Sequence, residues 1–258
     1  MIKRYKKDQH FLIDENVLDR IVDYGKVNRS DTVLEIGAGY GNLTEKLAKK
    51  ACRVVAFEID SELAAAIKLK NVEVITGDVL SKEFPFFNKV ISNLPYSISS
   101  QVTFKILEYK FDLGILMYQY EFAKRMAALP GSKDYGRLSI AVQYYADIEI
   151  LEIVPGSAFS APPDVNSAII RIVPRPPPYR VKDKDFFMKF IAAAFSQRRK
   201  KLRNSLLNNA MILGVTERAI KKLPNELLEK RPEIISPCDL AELADILLDD
   251  AAKDIHAS

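Results

Sequence analysis

Thr32-Val-Leu-Glu-Ile-Gly-Ala-Gly-Tyr-Gly-Asn-Leu-Thr-Glu-Lys-Leu-Ala-Lys-Lys50 decides the fold. Its first five residues are mostly apolar and β-branched, as in a buried strand, and from Leu43 to Lys50 the apolar positions recur at helical spacing. Gly37, Gly39 and Gly41 alternate between the two, so a strand, a tight turn and a helix follow one another. Outward from there the same alternation continues. Strands are predicted at Arg53–Phe57, Val72–Thr76, Lys89–Ser92 and Leu113–Met117, and helices at Glu62–Lys70, Ser99–Glu108, Tyr120–Leu129 and Leu138–Ala146. Ile148–Val154 and Ser167–Val173 read as closing strands. Alternation of this kind specifies a doubly wound α/β domain with a mainly parallel sheet and an antiparallel closing strand.

Pro174, Pro176, Pro177 and Pro178 interrupt the pattern and read as a stiff linker. Beyond them Phe186, Phe187, Phe190, Ile191, Ala194 and Phe195, then Leu240, Leu243, Ile246 and Leu247, recur at helical spacing. Ser236 followed by Pro237 is a helix start, with serine as cap and proline in the first position. Residues 1–175 are therefore expected to form the α/β domain and residues 176–258 a small helical one.

With 258 residues, 48% of them hydrophobic, the chain can bury a sizeable core, and no apolar run is long enough to span a bilayer. The basic start, Met1 to Lys7, lacks the apolar stretch of a secretory signal. Cys52 and Cys238 have no metal-ligand spacing and read as reduced, buried thiols of an intracellular protein. With His10 and His256 the only histidines, a histidine-built metal site and a histidine base are both disfavoured. Net charge is only +4, but positive charge concentrates in the first seven residues and at Arg198, Arg199, Lys200, Lys201 and Arg203, which suits either basic patches facing a polyanion or solvated helix faces.

The glycine turn suits a dinucleotide, S-adenosylmethionine or a bare structural bend. Glu58, ending the second strand, is placed to accept hydrogen bonds from adenosine ribose hydroxyls, and Asp78, after the third, from an adenine amine. Asn93-Leu94-Pro95-Tyr96 at the carboxyl end of the fourth strand separates the alternatives. An adenine amine is a weak nucleophile because its lone pair is delocalised into the ring. The Asn93 side-chain oxygen and the Leu94 carbonyl can accept its two N–H bonds, Pro95 stiffens the turn, and the Tyr96 ring can stack on the base. The quartet resembles the Asn/Asp-Pro-Pro-Tyr/Phe motif of amino-methyltransferases.

Taken with Gln9-His10-Phe11-Leu12, Tyr118–Arg125 and Tyr135–Leu138, these segments resemble the ribosomal RNA adenine dimethyltransferase family over nearly the whole chain. The resemblance implies a Rossmann-like class I methyltransferase domain. It also implies cofactor contacts at Gln9, His10, Leu12, Gly37, Glu58, Asp78 and Asn93, beside the loop glycines Gly39 and Gly41. Phe159–Ser167 looks like the family's Phe-x-Pro-x-Pro-x-Val loop with Ala161 in place of the first proline. There Phe159 would form a second aromatic face around a flipped adenine, opposite Tyr96. Phe195–Leu206 resembles the family's basic helix, whose Arg198, Arg199, Lys200, Lys201 and Arg203 would contact phosphates.

The implied activity is dimethylation at N6 of two adjacent adenosines in the 3′-terminal hairpin loop of small-subunit rRNA. S-adenosyl-L-methionine is the donor, S-adenosyl-L-homocysteine the product, and no metal takes part. The implied setting is a cytoplasmic monomer acting on an immature ribosomal subunit, away from membranes. Two alternatives stay open: an RNA-binding assembly factor with secondary methylation, and an adenine N6-methyltransferase of large-subunit rRNA.

Overall fold

A computed structural model describes residues 10–255; Gln9, the basic run Met1 to Lys7 and His256 lie outside the described residues. The first element is one that hydropathy spacing did not single out, α1 (Glu15–Tyr24). Asp14 caps it by accepting the N–H groups of Asn16 and Val17, and Val17, Leu18, Ile21 and Val22 form its buried stripe.

β1 (Thr32–Ile36), α2 (Asn42–Lys50), β2 (Arg53–Glu58), α3 (Ser61–Ala66) and β3 (Val72–Thr76) build one half of the sheet. β4 (Lys89–Asn93), α4 (Ser99–Leu107), β5 (Leu113–Gln119), α5 (Tyr120–Ala127), α6 (Arg137–Gln143), β6 (Ala146–Val154) and β7 (Ser167–Pro174) follow. Strand order is β3-β2-β1-β4-β5-β7-β6. All neighbours are parallel except that β7 runs antiparallel to both β5 and β6. Chain order therefore reverses between β1 and β4, and in open α/β sheets ligands bind outside the strand ends at that switch point. α3 stops at Ala66, short of the expected Lys70, because Ile67 and Leu69 leave helical geometry to pack against the sheet's apolar cluster.

The chain divides into two compact units, residues 1–123 with 146–175, and residues 124–145 with 176–258. Residues 124–145, read from sequence as part of the α/β domain, belong instead with the helices. Ala128, Tyr135, Ile140 and Tyr144 are buried in one cluster with Phe187, Phe190, Leu206 and Leu243. That second unit contains α7 (Lys184–Ala194), α8 (Leu202–Asn208), α9 (Ala210–Leu213), α10 (Glu217–Lys222), α11 (Asn225–Leu228) and α12 (Pro237–Ile255). Ser236 caps α12 as expected, its hydroxyl accepting the Asp239 N–H at 3.1 Å.

Two further expectations are corrected. Phe195–Leu206 is not one basic helix: a 3-10 turn covers Phe195–Gln197, Arg198 to Lys201 are non-helical, and only then does α8 begin. Lys201 adopts extended torsions, which let the Leu202 N–H bond to the Lys230 carbonyl at 2.8 Å and its side chain enter the core. Cys52 and Cys238 are free but exposed. Ala51 and Leu240 take the buried positions beside them.

At the opposite end of the sheet from the switch-point crevice, Lys89 donates to Asp31 at 2.8 Å, with side-chain exposures of 11% and 3%. Burial opposes ionisation of Asp31, but hydrogen bonds from Lys89, Asn88 and the Asn28 backbone outweigh it and hold the carboxyl below its ordinary range. Removing one partner of such a pair strands the other charge. Lys89→Met should therefore cost about 3–5 kcal/mol in urea unfolding, and a loss below 1 kcal/mol, on the order of an exposed pair, would contradict this.

Candidate active site

β1 and β4 pair only through Val33–Lys89 and Leu34–Val90. Beyond that register a side chain replaces the ladder: the Ser92 hydroxyl donates to the Ile36 carbonyl at 2.5 Å and accepts the Ile36 N–H at 3.2 Å. The strands part there, and the glycine turn enters the gap. Gly37, Gly39 and Gly41 all have positive φ (79°, 56° and 87°). At Gly37 a Cβ would lie 3.2 Å from the Pro95 ring, so the turn after β1 and the quartet after β4 pack directly on each other. At Gly39 a Cβ would come within 2.8 Å of the Phe11 ring, which itself lies 4.3 Å, centroid to centroid, from Tyr40.

Glu58, 7% exposed at the end of β2, ties the loop down. Its Oε2 accepts the Gly39 N–H at 2.8 Å and its Oε1 the Asp60 N–H at 3.0 Å. A carboxylate has about four lone-pair directions, so two remain for a ligand. Asp78 is exposed at the end of β3, and its Oδ1 caps the next turn by accepting the Leu80 N–H at 2.9 Å.

Asn93 closes the other side of the crevice. Its Nδ2 donates to the His10 carbonyl at 3.2 Å, which turns Oδ1 the other way, and that oxygen is buried without a hydrogen-bond partner among the described residues. Leu94 is buried, with its N–H directed at the Met117 carbonyl at 3.4 Å. The half-buried Tyr96 is held at both ends, its ring stacked 5.6 Å from His10 and its hydroxyl 2.5 Å from the Ser167 hydroxyl. His10 in turn bonds through Nδ1 to the Ala161 carbonyl at 2.7 Å, so that nitrogen carries the proton. The Leu12 carbonyl accepts from the Asn42 side chain at 2.9 Å. Segment 10–12, the glycine turn, Glu58 and the quartet thus meet at one sheet edge.

Phe159 is placed differently from expectation. It is 2% exposed, pairs with Leu12 in an isolated antiparallel bridge and belongs to the apolar cluster with Val17 and Leu18. With no open ring face it anchors segment 10–12 rather than forming a second stacking surface. The five basic residues lie in the helical unit, and three of them are engaged internally. Arg198 donates to the Lys133 and Tyr135 carbonyls, Lys201 to Glu229, and Arg203 pairs with Glu229. Arg199 and Lys200 are exposed.

Sequence reasoning passed over Glu35 as a functional residue. It lines the small cleft with Gly37, Gly39, Asn42 and Asn93, is fully buried, and its Oε2 makes no hydrogen bond of good geometry among the described residues. Burial pushes its carboxyl up to about 8 against the opposing pull of the Thr44 hydroxyl, and the nearby Glu58 charge adds to the rise. The available signal was an acid inside an otherwise apolar strand. Among the described residues no group of three or more His, Cys, Asp or Glu is gathered that could hold a metal ion, and no helix is long and apolar enough to cross a membrane.

A seven-stranded doubly wound sheet with a single antiparallel strand, and an Asn-x-Pro-Tyr turn facing a glycine loop across its switch point, places the molecule among the Rossmann-like methyltransferases. More narrowly, the chain belongs to the ribosomal RNA adenine dimethylase family, whose profile matches residues 2–233. A relative from Methanosarcina acetivorans, named a probable ribosomal RNA small subunit methyltransferase A, is 53% identical over 249 residues, covering 94% of this chain and 93% of its own. The crystal structure of a dimethyladenosine transferase from Plasmodium falciparum is similar at a TM-score of 0.78 and 30% identity, covering 95% of this chain and 98% of the other. That of the 23S rRNA methyltransferase ErmE gives 0.69 and 26%, covering 92% and 99%.

Glu35 makes a pH prediction. Its ordinary value is 4.5 and its folded value about 8, so the folded protein keeps a proton that the unfolded chain releases across that window. The stability this group contributes is full below the unfolded value and is lost as pH rises through the folded one. Glu35→Gln, neutral at every pH, should flatten the fall in Tm between about pH 5 and 8.5. A variant whose fall parallels that of the unsubstituted protein would contradict the assignment.

Proposed function

We propose that the protein binds S-adenosylmethionine in the switch-point crevice and dimethylates N6 of two adjacent adenosines in the 3′-terminal hairpin loop of small-subunit rRNA. The observation that carries the reading is the buried, unpaired Oδ1 of Asn93. Leaving such an acceptor unsatisfied costs about 1–3 kcal/mol, and at the mouth of a ligand crevice a bound donor is the partner that would offset it. The residues fit the cofactor: Gly37 and Gly39 let backbone approach closely, and Glu58 keeps lone pairs for ribose hydroxyls. His10, Leu12 and Asp78 flank the same edge, and we assign them to the cofactor with Gln9 and Gly41.

When bound, S-adenosylmethionine supplies an electrophilic methyl group on a positively charged sulfur. The chain's own part is to present the amine. Acceptance of its N–H bonds by Asn93 Oδ1 and the Leu94 carbonyl draws the nitrogen toward tetrahedral geometry and aims its lone pair. Tyr96, fixed by Ser167 and His10, offers its ring as the stacking platform. The methylated nitrogen becomes acidic as its new bond forms and releases its proton to solvent, so no strong base is required and orientation and electrostatic placement supply most of the catalysis. After one transfer a single N–H remains, and one acceptor suffices to orient the second.

The choice of small-subunit rRNA over large-subunit rRNA rests on the names of relatives at 53% identity, against 26% for the large-subunit enzyme. We assign an immature subunit as partner, Arg199 and Lys200 as phosphate contacts, and the cytoplasm as the place of action for a monomer.

Asn93→Ala should lower kcat for methyl transfer by about 10²-fold or more, as loss of a transition-state hydrogen-bond partner does. Binding of unmethylated small subunits should change less than threefold. Equal losses in turnover and binding would overturn the assigned role.

A further inference from the structure

A groove of about 480 Å³ lies wholly on the helical unit, lined by Gly131, Ser132, Lys133, Arg198, Arg199 and Glu233. Its walls come from two stretches far apart in sequence: the turn joining α5 to α6, and the non-helical stretch before α8. The Gly131 N–H donates to the Glu233 carbonyl at 2.7 Å, which fastens the turn to the groove floor. Arg198 fastens the other side, one guanidinium nitrogen donating to the Lys133 carbonyl at 2.7 Å and the Tyr135 carbonyl at 2.8 Å. Gly131 has φ of +87° with open space where a side chain would project.

The charges divide into two kinds. Lys201 and Arg203 face Glu229 and are largely neutralised. Glu233, the groove's one carboxylate, already faces Arg198 at 3.8 Å and Arg231 at 3.9 Å. Lys133, Arg199 and Lys200 are exposed and have no carboxylate partner among the described residues. A concave site with free cations on its rim and a neutralised floor suits a phosphodiester.

We propose that this groove is a phosphate-binding site for rRNA, with Lys133 and Arg199 as the ligands and Arg198 as a positioning residue. The assignment rests on the rRNA reading above and deepens it in two respects. Lys133 joins the RNA surface although it lies outside the basic run, and Arg198 leaves the set of direct contacts. Its guanidinium sets the 133–135 backbone, and through it the direction in which Lys133 projects.

The test is binding of the full-length protein to unmethylated small ribosomal subunits across a salt series. Each phosphate contact removed should lower the slope of log K against log salt by about 0.7–0.9. Lys133→Ala and Arg199→Ala should each do so, Lys133→Arg should restore it, and Lys221→Ala, on the exposed face of α10, should leave it unchanged. Arg198→Lys keeps the charge, but its shorter side chain brings the ammonium short of the two carbonyls that the Arg198 terminal nitrogen reaches, so it should weaken binding as much as Lys133→Ala. The double variant Lys133→Ala with Arg198→Lys should be no weaker than the worse single one. Unchanged slopes for Lys133→Ala and Arg199→Ala would overturn the groove, and wild-type binding by Arg198→Lys would overturn its positioning role. Methyl transfer by the unsubstituted protein is read separately: its absence with the slopes as expected would refute the enzymatic reading and leave the groove standing.

Discussion

Everything at the candidate site depends on the parting of β1 from β4. Two parallel strands that pair through only two registers would ordinarily continue their ladder to the sheet edge. Here the Ser92 hydroxyl takes the place of the next rung, satisfying both the N–H and the carbonyl of Ile36. The backbone polar groups stay paired while the strands separate, which meets the requirement that buried main-chain groups find partners. Into the opening go a turn whose positive φ angles favour glycine and a proline ring that a Cβ at Gly37 would crowd at 3.2 Å. The glycine loop after β1 and the Asn93–Tyr96 turn are thereby fixed relative to each other by van der Waals contact rather than by flexible side chains.

From that contact the rest of the edge is organised outward. Glu58 holds the loop from β2, His10 and Ser167 hold Tyr96, and Phe159 holds the segment that contains His10. These ties differ in kind (a carboxylate on backbone N–H groups, a ring stack, a hydroxyl pair and a backbone bridge), and none of them occupies the Asn93 Oδ1. Asn93 illustrates the principle: its amide donates to one neighbour and keeps its oxygen in reserve. Preorganisation of this kind removes the reorganisation cost from the moment of reaction.

What was legible in the sequence was whatever local pattern dictates. All seven strands, the glycine turn, the acid after β2, the quartet after β4 and the serine cap of α12 are written in short windows, and the windows sufficed. What was not legible depended on distant packing. Phe159 looks like a stacking ring until its bridge to Leu12 buries it. The run from Arg198 to Arg203 has the composition of an exposed helix. The need to deliver Leu202 and Leu206 to a core made partly of residues 124–145 breaks that helix and turns Arg198 inward. That shared core also explains why a single domain boundary after residue 175 was insufficient: a short α6 with an apolar stripe looks the same whichever core it joins. Glu35 escaped notice because an acid in a strand acquires meaning only when the surrounding burial is known.

The central claim is that this crevice methylates adenine N6 in small-subunit rRNA. Its most direct test is incubation of the protein with labelled S-adenosylmethionine and unmethylated small subunits, followed by digestion of the RNA and mass-spectrometric mapping of the labelled nucleosides. The account predicts N6,N6-dimethyladenosine at two adjacent positions near the 3′ end. Label in any other nucleoside, or none in the RNA, would contradict it.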